Sequence, residues 1–365
     1  MKIEFNVLDR QYKMFESEYN EAALKVLKSG WYILGNEVQN FENQFASFSG
    51  RKYCIGLNSG LDALILAFRA LNIGKGDEVI VPSNTFIASV IGITENGATP
   101  VFVEPDEYYN LDVNKIEEKV TEKTKAILVV HLYGQAANME KIKKIADKNK
   151  LYLIEDCAQS HGAHYNGKIT GSWGDIGCFS FFPTKNVGAF GDGGAITTDN
   201  QEICEKLKML RNYGSKIKYQ NEIQGVNSRL DEMQAALLSV KLQHVNELSL
   251  DRERIAKRYL SKIKNDKIIL PTLRDYSEHV WHLFVIRTSK RIELQEYLKD
   301  NEISTQIHYP IPPHLSECYK HLGYQMGDFP ITESYSDEIL SLPIYNGMTD
   351  EEVDYVVNIV NAWNK

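Results

Sequence analysis

The sequence predicts an α/β fold: a mixed, mostly parallel central sheet with helices on both faces, plus a smaller α+β C-terminal domain. Three observations carry that prediction. Short apolar runs of strand length lack polar alternation, as strands buried on both faces do. Helix-patterned stretches separate these runs, the order that produces parallel pairing. The chain has 365 residues, too many for one core of ordinary size.

The elements follow in order. Residues 52–57, "KYCIGL", read as a strand, and "LDALILAFRAL" after them as an amphipathic helix. Residues 78–82, "EVIVP", form the next strand, with a helix over 87–96. The runs "PVFV" (100–103), "AILVV" (126–130) and "LYLIE" (151–155) repeat the pattern, the last two separated by a helix through "MEKIKKIADKNK". After Gly177, two close strands flank a glycine-rich loop, and a helix begins near Asn200. A helix over 231–245 leads into a second, "RERIAKRYLSKIK". The composition then shifts toward proline and aromatic residues, with a strand over 281–287 and helices over 291–300 and 350–363. Two domains are expected, 1–245 and 246–365, divided within a helical stretch rather than at a linker. No internal repeat is visible.

Charge narrows the partners. Lysine and arginine number 41 against 49 acidic residues, a net charge of 41 − 49 = −8. That balance argues against nucleic acid or an anionic membrane as the main partner, without excluding an anionic ligand in one pocket. The five cysteines are odd in number and form no C-x-x-C pair, as expected of reduced thiols in a cytoplasm. The opening "MKIEFNVLDRQYKMF" lacks the apolar core of a signal peptide, which leads to the same cytoplasmic expectation.

Three strand ends carry residues of chemical interest, where ligands collect in open α/β sheets. Ser59 and Gly60 join a strand to a helix and offer amides and a hydroxyl to a phosphate; a serine N-cap is the plainer alternative. Asp156 ends a buried strand, where a carboxylate is costly unless paired, although a cap on loop amides would also explain it. Lys185, in "FSFFPTKNVGAFGDGGAITT", stands between buried phenylalanines and a glycine loop. A solvated turn is the ordinary place for a lysine, but a desolvated one has a lowered pKa and attacks carbonyls. There is no G-x-G-x-x-G after a strand and no P-loop. His131, His161, His164, His308 and His314 show no zinc spacing, so no metal is expected. A phosphate cradle, a buried acid and a reactive lysine, in that order, meet the needs of pyridoxal 5'-phosphate (PLP).

Five stretches now identify a relationship: "SGWYILGNEVQNFE", "GLNSGLDAL", "GDEVIVPSNTFIAS", "IEDCAQSHGAHYNGKITGSWGDIGCFSFFPTKNVGAFGDGGAI" and "GVNSRLDEMQAALLSVKL". From end to end the chain resembles the sugar-nucleotide aminotransferases of the DegT/DnrJ/EryC1/StrS family, which have the aspartate-aminotransferase-like PLP fold type I. The resemblance implies that Lys185 holds PLP as a Schiff base and then moves the proton, and that Asp156 pairs with the pyridine nitrogen. It implies Phe86 on the outer face of the ring, and Gln159 on the other face or at the phenolic oxygen. Ser59, Gly60 and Ser180 match the family's phosphate ligands, and Asn227 an asparagine reaching the neighbouring subunit's phosphate. A homodimer with shared active sites follows. Arg229 is read as structural, at the interface or near the substrate.

The family's reaction passes through pyridoxamine phosphate, taking the amine from L-glutamate and giving it to a keto sugar nucleotide. Its dehydratase branch replaces the lysine by histidine; Lys185 favours transamination. A non-catalytic regulatory protein on the same fold is the remote alternative. "SGWYILG", with His161 after "DCAQS", looks like the members acting on dTDP-3-oxo-6-deoxyhexoses, whose products are of the Fuc3N or Qui3N type and serve cell-surface polysaccharide, lipopolysaccharide or glycan biosynthesis. Action at C4 of a 4-keto-6-deoxy sugar is the alternative. His308 and Tyr309, in "QIHYPIPPH", match a segment closing over the substrate, or form a packed proline-rich loop. Trp31 and Tyr32 border the sugar or bury a helix end.

Overall fold

Buried strands between helices give the chain its central sheet, described here from a computed structural model covering residues 1–364. Three helices, α1 (Leu8–Met14), α2 (Glu16–Ser29) and α3 (Asn36–Phe48), precede the first strand, β1 (Tyr53–Leu57). Then come α4 (Gly60–Ala70), β2 (Glu78–Pro82), α5 (Ile87–Thr94), β3 (Thr99–Val103), β4 (Thr124–Val130), α6 (Met139–Lys148) and β5 (Tyr152–Asp156). A small hairpin, β6 (His164–Tyr165) and β7 (Lys168–Ile169), leads to β8 (Ile176–Ser180), β9 (Gly194–Thr198) and α7 (Gln201–Leu210). A second hairpin, β10 (Ser215–Ile217) and β11 (Gln220–Asn221), precedes α8 (Glu232–Gln243) and α9 (Val245–Lys262). The remainder comprises β12 (Phe284–Arg287), α10 (Arg291–Asp300), α11 (Pro330–Glu338), β13 (Ile339–Leu342) and α12 (Asp350–Ala362).

Seven strands form the main sheet in the order β1-β9-β8-β5-β4-β2-β3. Every pairing from β8 outward to β3 is parallel, while β9 runs antiparallel to both β8 and β1. The two faces read directly from the side-chain period of two. Val79, Val81 and Leu128 enter the layer of α4, α5 and α7, while Ile80, Ile127 and Val129 enter the layer of α6. This covering on both sides is why the strands show no polar alternation. Among the described residues, no helix is long and apolar enough to cross a membrane.

The C-terminal region has its own core, built from α9, α10, α12, β12 and β13. Its start differs from a cut inside one helix: α8 and α9 are separate helices that abut at His244. The expected 1–245 unit also loses its first residues to this core. Ile3 pairs in parallel with Ile303 and is fully buried there, because its side chain finds apolar partners on that side.

One buried carboxylate ties the N-terminal helices to the rest. Glu232 Oε1 accepts from the Gly35 and Val38 amides at 2.8 and 2.9 Å, and Oε2 from the Glu37 amide at 2.9 Å. These are first-turn donors of α3, which no intrahelical carbonyl can satisfy. Glu232→Ala, leaving three amides unpaired at a buried site, is expected to destabilise the protein by roughly 3 kcal/mol. Thermal unfolding followed by circular dichroism checks this, with a midpoint roughly 5 °C lower.

Candidate active site

Because β1, β5 and β8 all run the same way, their C-terminal ends share one edge of the sheet. Each delivers a group to one cavity of about 640 Å³, a volume suited to a small-molecule ligand. At the end of β1, Ser59 caps α4, its Oγ accepting from the Asp62 amide at 3.1 Å. Gly60 and Leu61, in the first turn, line the cavity. Their amides belong to the free, positive end of the helix. Glycine is required here by contact. A Cβ on Gly60 would stand 2.5 Å from that of Ser180, and one on Gly194 would stand 2.3 Å from the Ser59 carbonyl. Ser59, Gly60 and Ser180 thus form one tight cradle suited to an anion.

At the end of β5, the buried Asp156 accepts from the Ser89 hydroxyl at 2.8 Å and the Ala158 amide at 3.1 Å. Ser89 is in turn 2.7 Å from the Thr85 hydroxyl. Burial pushes the Asp156 carboxyl up, against the pull of these donors and of Lys185. A cationic ligand atom would restore its charge.

The loop between β8 and β9 holds Lys185. It is pinned where the Phe181 amide donates to the Gly193 carbonyl and the Ala189 amide to the Phe181 carbonyl, both at 2.7 Å. Burial lowers the Lys185 amine to about 8, with Asp156 opposing. At that value roughly a tenth of the amine is uncharged at pH 7, far more than of an ordinary lysine, and this fraction is nucleophilic toward carbonyls.

Phe86 and Tyr309 form a wall, their ring centroids 5.0 Å apart. Gln159 bridges the Tyr133 amide (2.6 Å) and the Tyr309 hydroxyl (3.1 Å). His308 lines the cavity, its Nδ1 2.8 Å from the Ser341 hydroxyl, and burial with the charge of Lys185 holds it down at about 4. His282, which no motif singled out, also lines the cavity, 3.5 Å from the Lys185 amine. Its only sequence signal is its place at the start of a strand-like apolar run.

Other expected residues lie elsewhere. His161 does not line this cavity: its ring is fully buried among Phe45, Phe179 and Phe181, and burial pushes it to about 3. Phe179 and Phe181, just ahead of the lysine, and Phe45 from α3 enclose the histidine outside the cavity lining. Tyr32 is exposed, its hydroxyl donating to the Leu27 carbonyl, and Trp31 is exposed with its indole bonded to the Ile33 carbonyl. Asn227 is exposed, its backbone bridging Asn212, whose side chain also accepts from Arg229 at 3.0 Å. These four residues do not line the cavity of this chain.

The fold also brings His131, at the end of β4, beside Glu155 and Cys157 of the next strand and the loop after it, with ligand atoms within 4.8 Å of one another. The lone pairs of His131 and Glu155 are already engaged. His131 Nδ1 accepts from the Ala137 amide, its Nε2 faces Glu155, and Glu155 accepts three further amides, from Gly171, Trp173 and Gly174. The cluster reads as a buried polar network rather than a metal centre.

The chain matches the DegT/DnrJ/EryC1/StrS aminotransferase family over residues 13–361. The protein belongs to that family. It is 57% identical over 97% of its length, and 98% of the relative's, to the dTDP-3-amino-3,6-dideoxy-alpha-D-galactopyranose transaminase of Aneurinibacillus thermoaerophilus. The crystal structure of Streptomyces venezuelae DesV, solved with a ketimine intermediate, superposes with a TM-score of 0.97 at 44% identity, covering 99% of this chain and 98% of that one. NtdA of Bacillus subtilis, solved with bound cofactor PMP, gives 0.91 at 32% identity over 98% and 84% of the two chains.

The protein is a PLP-dependent aminotransferase of fold type I. Its residues fit the cofactor on their own terms: a cradle too tight for a Cβ, a lowered amine and a buried carboxylate meet in one cavity. Capture of added PLP by protein stripped of cofactor should rise with pH about a midpoint near 8, because only the uncharged amine adds to an aldehyde. Borohydride trapping followed by intact-mass measurement reads this, and Lys185→Ala should show no trapped adduct.

Proposed function

We propose that this enzyme moves the amino group of L-glutamate to C3 of a dTDP-linked 3-keto-6-deoxyhexose, giving a dTDP-3-amino-3,6-dideoxyhexose. The observation that carries the sugar and its position is the 57% identity, along nearly the whole chain, to a transaminase named for the 3-amino-3,6-dideoxygalactose product. It favours the Fuc3N type over Qui3N and C3 over C4. Retention of both Lys185 and Asp156 in one cavity also speaks against a non-catalytic regulatory role.

In this reading PLP supplies an aldehyde that carries the amine and a ring that spreads the electron pair of a deprotonated carbon. Lys185 would hold the cofactor through its amine and, once released, would move a proton. Asp156, oriented by Ser89 and Thr85, would pair with the ring nitrogen and hold its proton. Phe86, Tyr309 and Gln159 would border the ring and hold it in place. Ser59, Gly60 and Ser180 take the phosphate. His308 and Tyr309 border the sugar.

Asn227 supports a homodimer with shared sites, since it is exposed and outside its own chain's cavity. Trp31, Tyr32 and Arg229 are then available to a second copy of the chain. Such an enzyme would work in the cytoplasm and supply cell-surface polysaccharide, lipopolysaccharide or glycan biosynthesis. The test is incubation with L-glutamate and a panel of dTDP-3-keto and dTDP-4-keto 6-deoxyhexoses, followed by mass spectrometry and NMR of the product. The expected result is amine at C3 from the 3-keto members, with the cofactor's near-visible absorbance bleached by glutamate alone. Product from the 4-keto members only would overturn the C3 assignment.

A further inference from the structure

The cavity is lined by a histidine that the reaction described above leaves without a task. His282, just ahead of β12, is buried, and its Nε2 lies 3.5 Å from the Lys185 amine, the outer edge of hydrogen-bonding distance. Asn186, the residue after Lys185, determines which ring nitrogen carries the hydrogen. Its side-chain N–H donates to the Val280 carbonyl at 2.7 Å, which turns its oxygen toward His282 Nδ1, 3.2 Å away. An amide oxygen only accepts, so Nδ1 is the protonated nitrogen and Nε2 presents a lone pair to the lysine. Burial and the charge of Lys185 keep the ring neutral. The backbone is held too: the Trp281 and His282 carbonyls accept from the buried Arg252 at 3.1 and 3.3 Å.

We propose that His282 is a positioning residue for the Lys185 amine, accepting one of its N–H bonds through Nε2 in the tautomer that Asn186 sets. An amine tethered in this way no longer turns freely about its last carbon bond. Its lone pair is presented to the cavity in one direction, where a proton must be taken from one carbon and returned to another. The same short segment that delivers the amine therefore also orders the histidine that aims it. The inference rests on Lys185 being the reactive amine. Asp156 from β5, His308 across the cavity and His161 beneath interact with Lys185, and Asp192 and Tyr309 line the same cavity. All five are retained in the variants below.

Two measurements on the full-length protein test the proposal. In 15N-histidine NMR spectra, with the His282 signals identified by their loss in His282→Gln, the ring is expected to be neutral and protonated at Nδ1. Protonation at Nε2 instead would overturn the assignment, and this measurement needs no apolar variant to fold. The second is the pH profile of PLP capture by borohydride trapping. His282→Leu withdraws an acceptor from the ammonium form, so its midpoint should fall by about one pH unit. His282→Gln, whose amide oxygen can replace Nε2, should keep the wild-type midpoint. Leu and wild-type profiles that coincide, with matching thermal unfolding, would refute the role of His282 while leaving Lys185 capture intact. Loss of the Lys185 reading itself would show separately, as capture that persists in Lys185→Ala.

Discussion

The site depends on burying an amine and a carboxylate of opposite preference at one cavity. Burial disfavours the charged form of each: it lowers Lys185 and raises Asp156. Their mutual attraction works against both shifts and limits them. The result is a lysine uncharged enough to attack a carbonyl, beside an acid that a cationic ligand atom would return to full charge. In water neither group would have this character. The helices on both sheet faces and the buried Phe179 and Phe181 supply the packing around the lysine loop.

Strand direction is the second constraint. The groups that meet in the cavity come from residues 59, 156, 180 and 185, which chain distance alone would keep apart. They converge because parallel strands end on the same side. The single antiparallel strand of the main sheet, β9, lets the chain turn back directly after the lysine loop, so that Gly194 closes against the Ser59 carbonyl. A loop with a side chain at that position could not bring the cradle and the lysine so close together.

How much of this was legible follows from which interactions are local. The buried strands and most helices were readable, since periodicity and apolar runs are properties of neighbouring residues. The helix over 139–150, for example, differs from α6 only by two terminal residues. The lysine, the acid and the cradle were readable because their segments are distinctive. His282 was not, because its importance comes entirely from contact with a residue 97 positions away. Ser89 lay unnoticed in a stretch quoted for Phe86, although one helical turn brings its hydroxyl to Asp156. The location of His161 misled for a related reason: its sequence neighbours are site residues, yet its ring turns into the phenylalanines behind them. Ile3, joined to the C-terminal core, carries no local mark of that partnership.

The two packed regions meet through polar clamps, and these explain how the cavity keeps its shape. Glu104, just past the end of β3, accepts from the Ile331 and Thr332 amides at 2.8 and 3.0 Å, binding the N-terminus of α11. The Thr332 hydroxyl reaches both Glu104 and Ser83, the residue after β2. On the opposite wall, Tyr133 donates its hydroxyl to the His308 carbonyl, and Gln159 holds the Tyr309 hydroxyl. Each clamp joins a strand end of the main sheet to a segment beyond residue 300. Buried bonds of this kind are expensive to break singly, because each broken partner is left unsatisfied. The His308–Tyr309 segment is therefore tied to the same sheet edge that carries the lysine and the acid.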